Sequence, residues 1–325
     1  MKFVLSLSQP EGSAEASLLA QIRSVAPLVD AVAVAVADGE ACRREIVDAD
    51  AFFGTITPDV LAAATRLRWI QSPYIGQERF MFPALAAHPS VMTNTRGIYS
   101  DDIADHVLGF VLMLARGFHR YQRHQQQHHW QTFPGGYPTD MIHLPDATLG
   151  IFGLGGIGYA VATRAHAFGM RVVAVDPRRV DRPPEVSELW PPDRLADMLG
   201  VSDFVAICAP ETPETRGVFD AQVIGTMRSN GYLINIGRGK IVKLDDLVDA
   251  LRAGRIAGAG LDVFETEPLP PDHALWDMPN VLITPHVAGA GPHTQERIRA
   301  IVVENLRRFV DGAPLINVVD KERWY

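Results

Sequence analysis

The first hundred residues of the chain alternate short apolar runs with longer segments of mixed polarity. Apolar runs at 2–7, 31–37 and 67–70 predict buried β-strands. The segment from Ala14 to Val25 repeats its apolar positions at helical spacing, which predicts a helix. The segment at 91–95 ends this amino-terminal portion of the chain. The pattern predicts an α/β arrangement for the amino-terminal part of the chain.

A stronger helix is predicted to begin at Ser100, which is expected to be its N-cap residue and is followed by aspartates in the first turn. Its apolar positions form one wide stripe, and they are Ile103, Val107, Val111 and Leu114. A face this wide predicts burial against a neighbouring domain or subunit. Residues 119–142 are rich in His, Gln, Gly and Pro, so a loop between elements is expected there.

A regular alternation of strands and helix-length segments runs from Thr148 to about residue 285. The predicted strands have the sequences LGIFG, RVVAV, FVAIC, YLINI, AGLDV and VLITP. Strands that alternate with helices indicate a parallel sheet with right-handed crossover connections. One amphipathic helix, from Thr294 to Val310, is predicted near the end of the chain.

Length and composition exclude several classes of protein. A chain of 325 residues is about twice a typical domain, which predicts two domains. With 47% hydrophobic and 21% charged residues, the chain is neither disordered nor fibrous. The net charge of −8, without a basic block, argues against nucleic acid or an anionic membrane as the main partner.

The cellular location is inferred from the cysteines and the amino terminus. Cys42 and Cys208 cannot form a disulfide framework, and neither lies in a paired-cysteine metal motif. Residues 1–12 predict a strand and a turn instead of a signal peptide. The longest apolar windows are too short to span a bilayer or are interrupted by charge. The sequence therefore predicts a soluble, cytoplasmic protein.

A glycine-rich turn indicates a dinucleotide site. The sequence GLGGIG at 153–158 follows a predicted strand and precedes a predicted helix from Tyr159 to Phe168. Gly153 would permit the tight turn, and Gly155 would let backbone N–H groups approach a pyrophosphate. Gly158 would let the helix pack on the strand.

Asp176 ends the next predicted strand, 18 positions after Gly158. A carboxylate there can accept hydrogen bonds from both adenosine ribose hydroxyls and repels a 2′-phosphate. Arg178 and Arg179 follow directly, and they could pair with a 2′-phosphate or be solvated surface charges. NAD is therefore the predicted cofactor, with NADP as the alternative.

Three loops after predicted strands each carry a side chain suited to hydride transfer on a 2-oxo or 2-hydroxy acid. Arg238 follows YLINI and could hold the substrate carboxylate with its bidentate fork. His286 follows VLITP and could exchange a proton near neutral pH, while Glu267, after AGLDV, would stabilise the protonated ring. Parallel strands bind ligands at their carboxyl ends, so these loops are expected to converge. Asp262 is a candidate hydrogen-bond partner for the nicotinamide carboxamide.

Five motifs occur in a specific order along the chain: GLGGIG, CAPETPET, INIGRG, GLDVFETEP and TPHVAG. In this order they resemble the D-isomer-specific 2-hydroxyacid dehydrogenase family, and residues 94–95 and 103–105 resemble its hinge segment. The resemblance implies an α/β fold in which a Rossmann-type doubly wound parallel sheet, residues 98–288, binds NAD. This domain would be inserted into a flavodoxin-like α/β substrate domain made of residues 1–97 and 289–325. The resemblance also implies a homodimer.

The resemblance implies a reaction and a set of site residues as well. The reaction is hydride transfer between NAD(H) and a small D-2-hydroxy acid or 2-oxo acid. Arg238, Glu267 and His286 would be the catalytic group, with His286 as proton donor or acceptor. Substrate contacts are expected at Tyr74, Ile75, Gly76 and Arg238. Cofactor contacts are expected at Gly153, Gly155, Gly156, Ile157, Gly158, Asp176, Arg178, Ala209, Pro210, Thr215, Ile236, Gly237, Arg238, Asp262, His286, Ala288 and Gly289.

The chain departs from the family pattern at three places. Gly156 stands where relatives often carry Arg, so one phosphate contact is expected to be missing. Asp105 replaces the usual Glu of the hinge. The substrate loop after Ser72 contains Tyr74 and Ile75 in place of a Gly/Ala-rich run, and their bulk argues against a large substrate side chain. The natural acid and the direction of the reaction are left open.

Other functions stay open at this point. A dehydrogenase of the same fold could take formate or phosphite as hydride donor, and a corepressor-like protein could bind NAD(H) only as a signal. Arg96 could meet an anionic group of the substrate or form an ion pair in the hinge loop. Four histidines lie outside any HExxH pattern and have no interleaved carboxylate or thiolate. A solvated loop or a dimer contact, and no metal site, is expected at His119, His124, His128 and His129.

Overall fold

Two compact units make up the chain in the computed structural model, which describes residues 1–7, 14–77, 80–131 and 141–323. One unit comprises Met1–Ile98 with Gly291–Tyr325, and the other comprises Tyr99–Ala290. The junctions lie one and two residues beyond the predicted ones. The turn predicted after the first strand, and residues 132–140 of the predicted loop, lie outside the described residues.

The first unit is built on a five-stranded parallel sheet. Its strands are β1 (Lys2–Leu7), β2 (Asp30–Ala35), β3 (Ala51–Phe53), β4 (Trp69–Gln71) and β5 (Val91–Thr93). The helices between them are α1 (Ala14–Val25), α2 (Gly39–Ile46), α3 (Pro58–Ala63) and α4 (Pro83–Ala87). The strand order is β2-β1-β3-β4-β5, which is the flavodoxin-like order, so this part of the fold prediction is confirmed.

The core of this sheet is aromatic. Phe3, Phe52 and Trp69 are fully buried, and the rings of Phe3 and Trp69 stack with their centroids 5.4 Å apart. Trp69 Nε1 donates a hydrogen bond to Thr93 Oγ1 at 2.9 Å, which satisfies the indole N–H inside the core. Strands covered on both faces read as continuous apolar runs, which is why the sequence pattern reveals β1, β2 and β4.

The apolar pattern does not reveal four short elements of this unit, α2, β3, α3 and α4. They span three to eight residues each, and a period cannot be recognised over so few positions. The strand predicted at 67–70 lies instead at Trp69–Gln71.

The second unit is built on a seven-stranded parallel sheet. Its strands are β6 (Thr148–Phe152), β7 (Arg171–Val175), β8 (Glu188–Trp190), β9 (Phe204–Ile207), β10 (Tyr232–Asn235), β11 (Gly258–Leu261) and β12 (Val281–Ile283). Its helices are α5 (Ser100–Ala115), α6 (Phe118–Gln126), α7 (Gly156–Ala167), α8 (Leu195–Val201), α9 (Ala221–Ile224) and α10 (Leu244–Arg252).

The strand order of this sheet is β12-β11-β10-β9-β6-β7-β8. From β6 the sheet extends one way through β7 and β8 and the other way through β9 to β12. This is the doubly wound Rossmann arrangement, and the prediction of it is confirmed. The strand order reverses between β6 and β9, and the crevice at such a reversal is where α/β sheets bind ligands. Only β8, three half-buried residues, is missing from the predicted strands.

Helix α5 differs from the prediction in its start and in what covers it. Ser100 is its first helical residue, and Tyr99 occupies the N-cap position without a side-chain capping bond. The predicted stripe is buried inside its own unit, where α5 packs with α7 and the sheet. Phe110 lies against Gly260 of β11, where a Cβ atom would come within 2.7 Å of the Phe110 ring. The expectation that a neighbouring domain or subunit covers this stripe is therefore wrong.

Part of the loop predicted at 119–142 is a helix, α6. Gly117, with a φ of 66°, separates α6 from α5 in a left-handed conformation that glycine adopts without strain. The Gly and Pro residues that indicate a loop lie only at 134–138, outside the described residues. The preceding Gln and Arg residues have good helix propensity, which the polar composition concealed.

The chain returns to the first unit through α11 (Thr294–Asp311). The Phe309 ring of α11 lies 5.3 Å from the Trp69 ring, and the buried Asn305 donates to Gln71 Oε1 at 2.9 Å. These contacts complete the core of the first unit, so its sheet requires both ends of the chain. Among the described residues, none of the helices combines the length and the apolar character needed to cross a membrane.

Candidate active site

Two of the three motif glycines in the turn after β6 leave no room for a side chain. Gly153 has a φ of 95°, and a Cβ atom on it would lie 2.7 Å from the backbone of Ala209. A Cβ atom on Gly158 would lie 2.1 Å from Gly153 O, so only glycine lets α7 pack this closely. Gly155 differs, because no atom lies within 4 Å of its Cβ position. The backbone at Gly155 is accessible, as contact with a pyrophosphate requires.

Helix α7 begins at Gly156, inside the motif and three residues before the predicted start at Tyr159. Its first N–H groups therefore lie in the glycine turn itself, where the free amides and the helix dipole favour a phosphate group. A Cβ atom on Gly156 would lie 3.3 Å from Ser100 Oγ. A larger residue at this position would require the Ser100 hydroxyl to shift by a few tenths of an ångström. The turn thus fits the pyrophosphate of a dinucleotide.

Asp176 lies directly after β7, beside the glycine turn. Its Oδ2 accepts a hydrogen bond from Leu154 N at 2.7 Å, and its Oδ1 accepts from Arg178 N at 2.8 Å and Arg179 N at 2.9 Å. Arg179 Nη1 donates to Leu154 O at 3.1 Å, and its guanidinium lies over the Tyr159 ring. A carboxylate has about four lone-pair sites, so a ribose hydroxyl can still bind. The sequence did not reveal that Asp176 also links the glycine turn to the turn after β7 through these hydrogen bonds.

The other predicted cofactor residues lie at the same edge of the sheet. Thr215 Oγ1 donates to Pro210 O at 2.7 Å and closes the loop after β9. A Cβ atom on Gly237, after β10, would lie 2.6 Å from Ala209 O, so these two loops are in direct contact. The remaining residues lie in α7 or in the loops after β10 and β12, and they are Ile157, Ile236, Ala288 and Gly289.

His286 and Glu267 meet in the loops after β12 and β11. His286 Nδ1 lies 2.8 Å from Glu267 Oε2, and Glu267 Oε1 accepts a hydrogen bond from Phe264 N at 3.0 Å. The Glu267 side chain is 18% exposed and the His286 side chain 44% exposed, so a ligand can reach the ring. With Nδ1 engaged by the carboxylate, Nε2 is the nitrogen left to exchange a proton. This tautomer is assigned from the hydrogen bond.

Asp262, which is 1% exposed, holds the loop that carries His286. Its Oδ1 accepts hydrogen bonds from Thr284 Oγ1 at 2.6 Å and Val287 N at 2.9 Å, and its Oδ2 accepts from Ala288 N at 3.0 Å. His286 N donates to Asp262 O at 2.8 Å. The contact with a nicotinamide carboxamide stays a prediction. The role of Asp262 and Thr284 in holding this loop could not be predicted from the sequence, which shows only that both residues lie within the motifs.

Arg238 lies after β10 with its backbone fixed by Asn235. Asn235 Nδ2 donates to Arg238 O at 3.0 Å, and Asn235 Oδ1 accepts from Gly237 N at 3.1 Å. Arg238 Nη1 donates to Gly237 O at 2.7 Å. Because β10, β11 and β12 are adjacent, the loops that carry Arg238, Glu267 and His286 leave one edge of the sheet side by side.

The predicted substrate loop, residues 72–77, belongs to the first unit and is held through its carbonyl groups. Gln77 Nε2 donates to Tyr74 O at 2.8 Å, and Asn94 Nδ2 donates to Ile75 O at 2.9 Å. Gln77 is fully buried and also donates to the hydroxyl of the first loop residue at 3.1 Å. Sequence reasoning missed Gln77, because a polar residue beside a loop does not stand out from the solvated residues around it.

The histidines around α6 have local contacts. His119 Nδ1 lies 3.2 Å from Met113 O, and burial lowers the pKa of this imidazole. The His124 and His129 rings meet edge to face with centroids 5.2 Å apart. Within the described ranges, no group of three His, Cys, Asp or Glu side chains could hold a metal ion. A groove at α6 is lined by residues that include Met113, Phe118, Tyr121 and Trp130.

The structure describes the backbone contacts of Arg96 and the burial of Cys208. Arg96 N donates to Asn94 Oδ1 at 3.0 Å, and Asn317 Nδ2 donates to Arg96 O at 2.7 Å. These bonds fix the backbone of Arg96, and the role of its guanidinium stays a prediction. Burial raises the pKa of the Cys208 thiol to about 12, so this thiol is protonated at neutral pH and is no nucleophile.

Both the sequence and the structure of this chain are similar to those of known proteins. Residues 108–288 match the family model described as "D-isomer specific 2-hydroxyacid dehydrogenase, NAD binding domain". A glyoxylate reductase from Korarchaeum cryptofilum is 35% identical over 286 residues, which cover 86% of this chain and 85% of that protein. A glyoxylate/hydroxypyruvate reductase B from Pectobacterium carotovorum is 35% identical over 272 residues, which cover 83% of this chain and 84% of that protein.

The structural comparison agrees with the sequence comparison. The crystal structure of an NADPH-dependent glyoxylate/hydroxypyruvate reductase from Sinorhizobium meliloti, in complex with NADP and sulfate, matches with a TM-score of 0.81. It is 27% identical, and the match covers 100% of this chain and 99% of that one.

Proposed function

The chain belongs to the D-isomer-specific 2-hydroxyacid dehydrogenase family, as its motif order predicts, and from this premise we propose that it reduces small 2-oxo acids to D-2-hydroxy acids with NAD(P)H, or runs the reverse reaction. The observation that carries this proposal is the 2.8 Å contact between His286 Nδ1 and Glu267 Oε2. This pair lies in loops at the same edge of the sheet as a glycine turn that fits a dinucleotide.

Each residue of the proposed catalytic group has its own role. Arg238 would bind the substrate carboxylate through its guanidinium. Glu267 holds His286 by Nδ1, so that Nε2 would give a proton to the carbonyl oxygen in reduction and take one from the hydroxyl in oxidation. The negative charge of Glu267 stabilises the positive ring that exists before reduction and after oxidation. A bound nicotinamide supplies or receives the hydride.

The two units have different proposed roles. The unit of residues 99–290 would bind the cofactor, which the family-model match over 108–288 supports. The unit formed by residues 1–98 and 291–325 would bind the acid. The backbone N–H groups of residues 75 and 76 would donate to its carboxylate, because the N–H of Tyr74 already donates to Ser72 Oγ at 3.2 Å.

NADH is the proposed preferred cofactor, with NADPH as the alternative. The charge of Asp176 would repel the 2′-phosphate of NADPH beside the glycine turn. Arg178 and Arg179 follow directly, but Arg179 already donates to Leu154 O. The Sinorhizobium meliloti relative is named as NADPH-dependent, so both cofactors belong in the assay.

Small acids are the proposed substrates. The Korarchaeum cryptofilum and Pectobacterium carotovorum relatives are named for glyoxylate, and the second also for hydroxypyruvate. In this chain the Tyr74 ring stacks on Phe80 with 4.8 Å between centroids, so bulky side chains fill the proposed substrate loop. We expect glyoxylate and hydroxypyruvate to react faster than phenylpyruvate and 2-oxoisocaproate.

The test is an oxidation screen with NADH and NADPH over these four acids, pyruvate and 2-oxobutyrate. Oxidation of either cofactor by the small acids supports the proposal. Formation of NADH from formate or phosphite, with no acid reduced, would contradict it. Tight NADH binding without any turnover would indicate a cofactor-sensing protein instead. The names of the matched relatives favour the reductase over both alternatives.

A homodimer and a cytoplasmic location are further parts of the proposal. Phe118 and Trp130, which are 55% and 89% exposed, line the groove at α6, and exposed aromatic side chains are typical of protein–protein contacts. Sedimentation should show a dimer that Trp130→Ser weakens, and a monomeric wild type would contradict this part. Both cysteines are free thiols, as expected in a reducing compartment.

A further inference from the structure

The loop that carries His286 has an uncommon backbone conformation. His286 has a φ of 55°, in the left-handed region that residues with a Cβ atom rarely adopt. Such a conformation persists only where the surrounding contacts impose it. The contacts around this loop therefore determine where the imidazole lies.

Asp262 supplies three of these contacts, and Thr284 O, which lies 3.1 Å from His286 N, supplies another. The main-chain oxygen of Asp262 accepts a hydrogen bond from His286 N at 2.8 Å. Its carboxylate accepts from Val287 N at 2.9 Å and Ala288 N at 3.0 Å. The residue is 1% exposed, and bonds shielded from water are stronger than exposed ones. The orientation of this carboxylate thus sets the course of the chain on the carboxyl side of His286.

Thr284 and His106 extend the network to helix α5. Thr284 Oγ1 donates to Asp262 Oδ1 at 2.6 Å, and His106 Nε2 lies 2.9 Å from Thr284 Oγ1. A hydroxyl has one proton, and Thr284 gives it to Asp262, so His106 Nε2 must be the donor in the other bond. His106 Nε2 lies 3.9 Å from Asp262 Oδ1, too far for a hydrogen bond, so the three side chains form one chain of donors that runs from His106 through Thr284 to Asp262.

Packing fixes both ends of this donor chain. The His106 ring meets the Phe110 ring edge to face, with 4.8 Å between centroids. Phe110 in turn lies against Gly260, where a Cβ atom would come within 2.7 Å of the ring. Gly260 lies in β11, two residues before Asp262. Helix α5 thereby packs against β11, the strand that ends directly before Asp262.

We propose that His106 and Thr284 are positioning residues for the acid–base step. They orient the carboxylate of Asp262, which holds His286 in place, and they act without touching the substrate. The inference rests on the proposed function. Proton transfer depends steeply on the placement of the donor, whereas the proposed carboxylate contact of Arg238 lies in another loop. The expected signature is a lower kcat with an unchanged KM.

The first test removes one hydroxyl. Thr284→Val keeps the shape of threonine, and we expect kcat to fall about 10-fold to 100-fold while KM for glyoxylate and Kd for NADH stay within about twofold of wild type. Thr284→Ser keeps the hydroxyl and should restore most of kcat. Thr226→Val is the matched control, because it makes the same substitution at an exposed hydroxyl that donates within its own turn, to Val223 O.

Variants of His106 test the second bond independently. His106→Phe keeps an aromatic ring against Phe110 but removes the donor, and kcat should fall about 5-fold to 10-fold. His106→Gln retains an N–H donor and should recover part of this loss. Because His106 acts through Thr284, adding His106→Phe to Thr284→Val should cause little further loss. Losses that multiply would contradict a single donor chain.

Hydrogen exchange of the backbone amides at residues 286–288 provides a readout that needs no activity. Exchange should be faster in Thr284→Val than in the wild type and in Thr284→Ser. Unchanged exchange and unchanged kcat in both Thr284→Val and His106→Phe would overturn the inference. A changed Kd for NADH at constant kcat would also overturn it, since the bonds would then serve cofactor binding. If the wild type reduces no oxo acid but amide exchange is still faster in Thr284→Val, the proposed function is wrong. The conclusion that Thr284 helps to hold the loop of His286 then remains.

Discussion

Replacement of Glu267 by Gln removes both the negative charge of the proposed acid–base pair and one of its two hydrogen-bond acceptors. The carboxylate uses both oxygens, one for His286 Nδ1 at 2.8 Å and one for Phe264 N at 3.0 Å. Glu267→Gln keeps the length of the side chain but offers only one oxygen. One of the two N–H groups therefore loses its acceptor, and the imidazolium loses its counter-charge. We expect proton transfer by His286 to slow.

The size of the loss follows from two estimates. A hydrogen bond to a charged group contributes about 1.5–3 kcal/mol. Two unit charges about 4 Å apart attract by about 4 kcal/mol at an effective dielectric constant of about 20. Solvent lowers the second figure here, because the His286 side chain is 44% exposed. A loss of about 1.5–3 kcal/mol in the transition state lowers kcat/KM about 10-fold to 160-fold.

The assay is kcat/KM for glyoxylate, measured by NADH oxidation with wild type, Glu267→Gln and Glu265→Gln. Glu265 is an exposed carboxylate two positions away, so its variant should stay within about twofold of wild type. Melting temperatures of both variants show whether the fold is retained. Full kcat/KM in Glu267→Gln, or an equal loss in Glu265→Gln, would refute the reasoning.

Three further predictions concern the proton donor and the cofactor site. His286→Gln should lower turnover about 100-fold to 10,000-fold, because the proton donor is lost, and leave the Kd for NADH from fluorescence titration near the wild-type value. Near-normal turnover would refute the role of His286. Gly158→Ala should lower the free energy of unfolding in urea by about 1–3 kcal/mol, since its methyl group would lie 2.1 Å from Gly153 O. Gly155→Ala has no atom within 4 Å of the new methyl group, so it should leave stability nearly unchanged and weaken NADH binding about 10-fold. Equal effects of the two alanines would contradict this distinction. Asp176→Asn should raise kcat/KM with NADPH relative to NADH about 10-fold, because the 2′-phosphate no longer meets a negative charge. An unchanged ratio would assign cofactor choice to another residue.

The loops of the candidate site could be predicted because their placement depends on local sequence. Arg238, Glu267 and His286 each follow an apolar strand, and neighbouring parallel strands direct their carboxyl ends to one edge of a sheet. The need for glycine at position 158 is also local, since the clash that excludes a side chain is with Gly153 O, five residues earlier.

Several elements could not be predicted because their signals are short or mixed. Helix α6 was concealed by its polar composition, and its separation from α5 depends on the single residue Gly117. The prediction of what covers α5 was wrong, because a wide apolar stripe does not reveal which surface the helix packs against. In the structure that surface includes Gly260, whose missing side chain makes room for Phe110.

The sequence by itself determined the strongly periodic strands and helices, the order of the motifs and hence the family, because all of these depend on residues near one another in the chain. The tertiary structure decided which polar atoms meet. His106 bonds Thr284 across 178 residues, and Gln71 bonds Asn305 across 234. A hydrogen bond requires only that two atoms come within about 3 Å, whatever their separation along the chain, and a periodic pattern carries no information about such pairs. For that reason the sequence identifies the proposed acid–base group, and only the fold reveals the network that holds it.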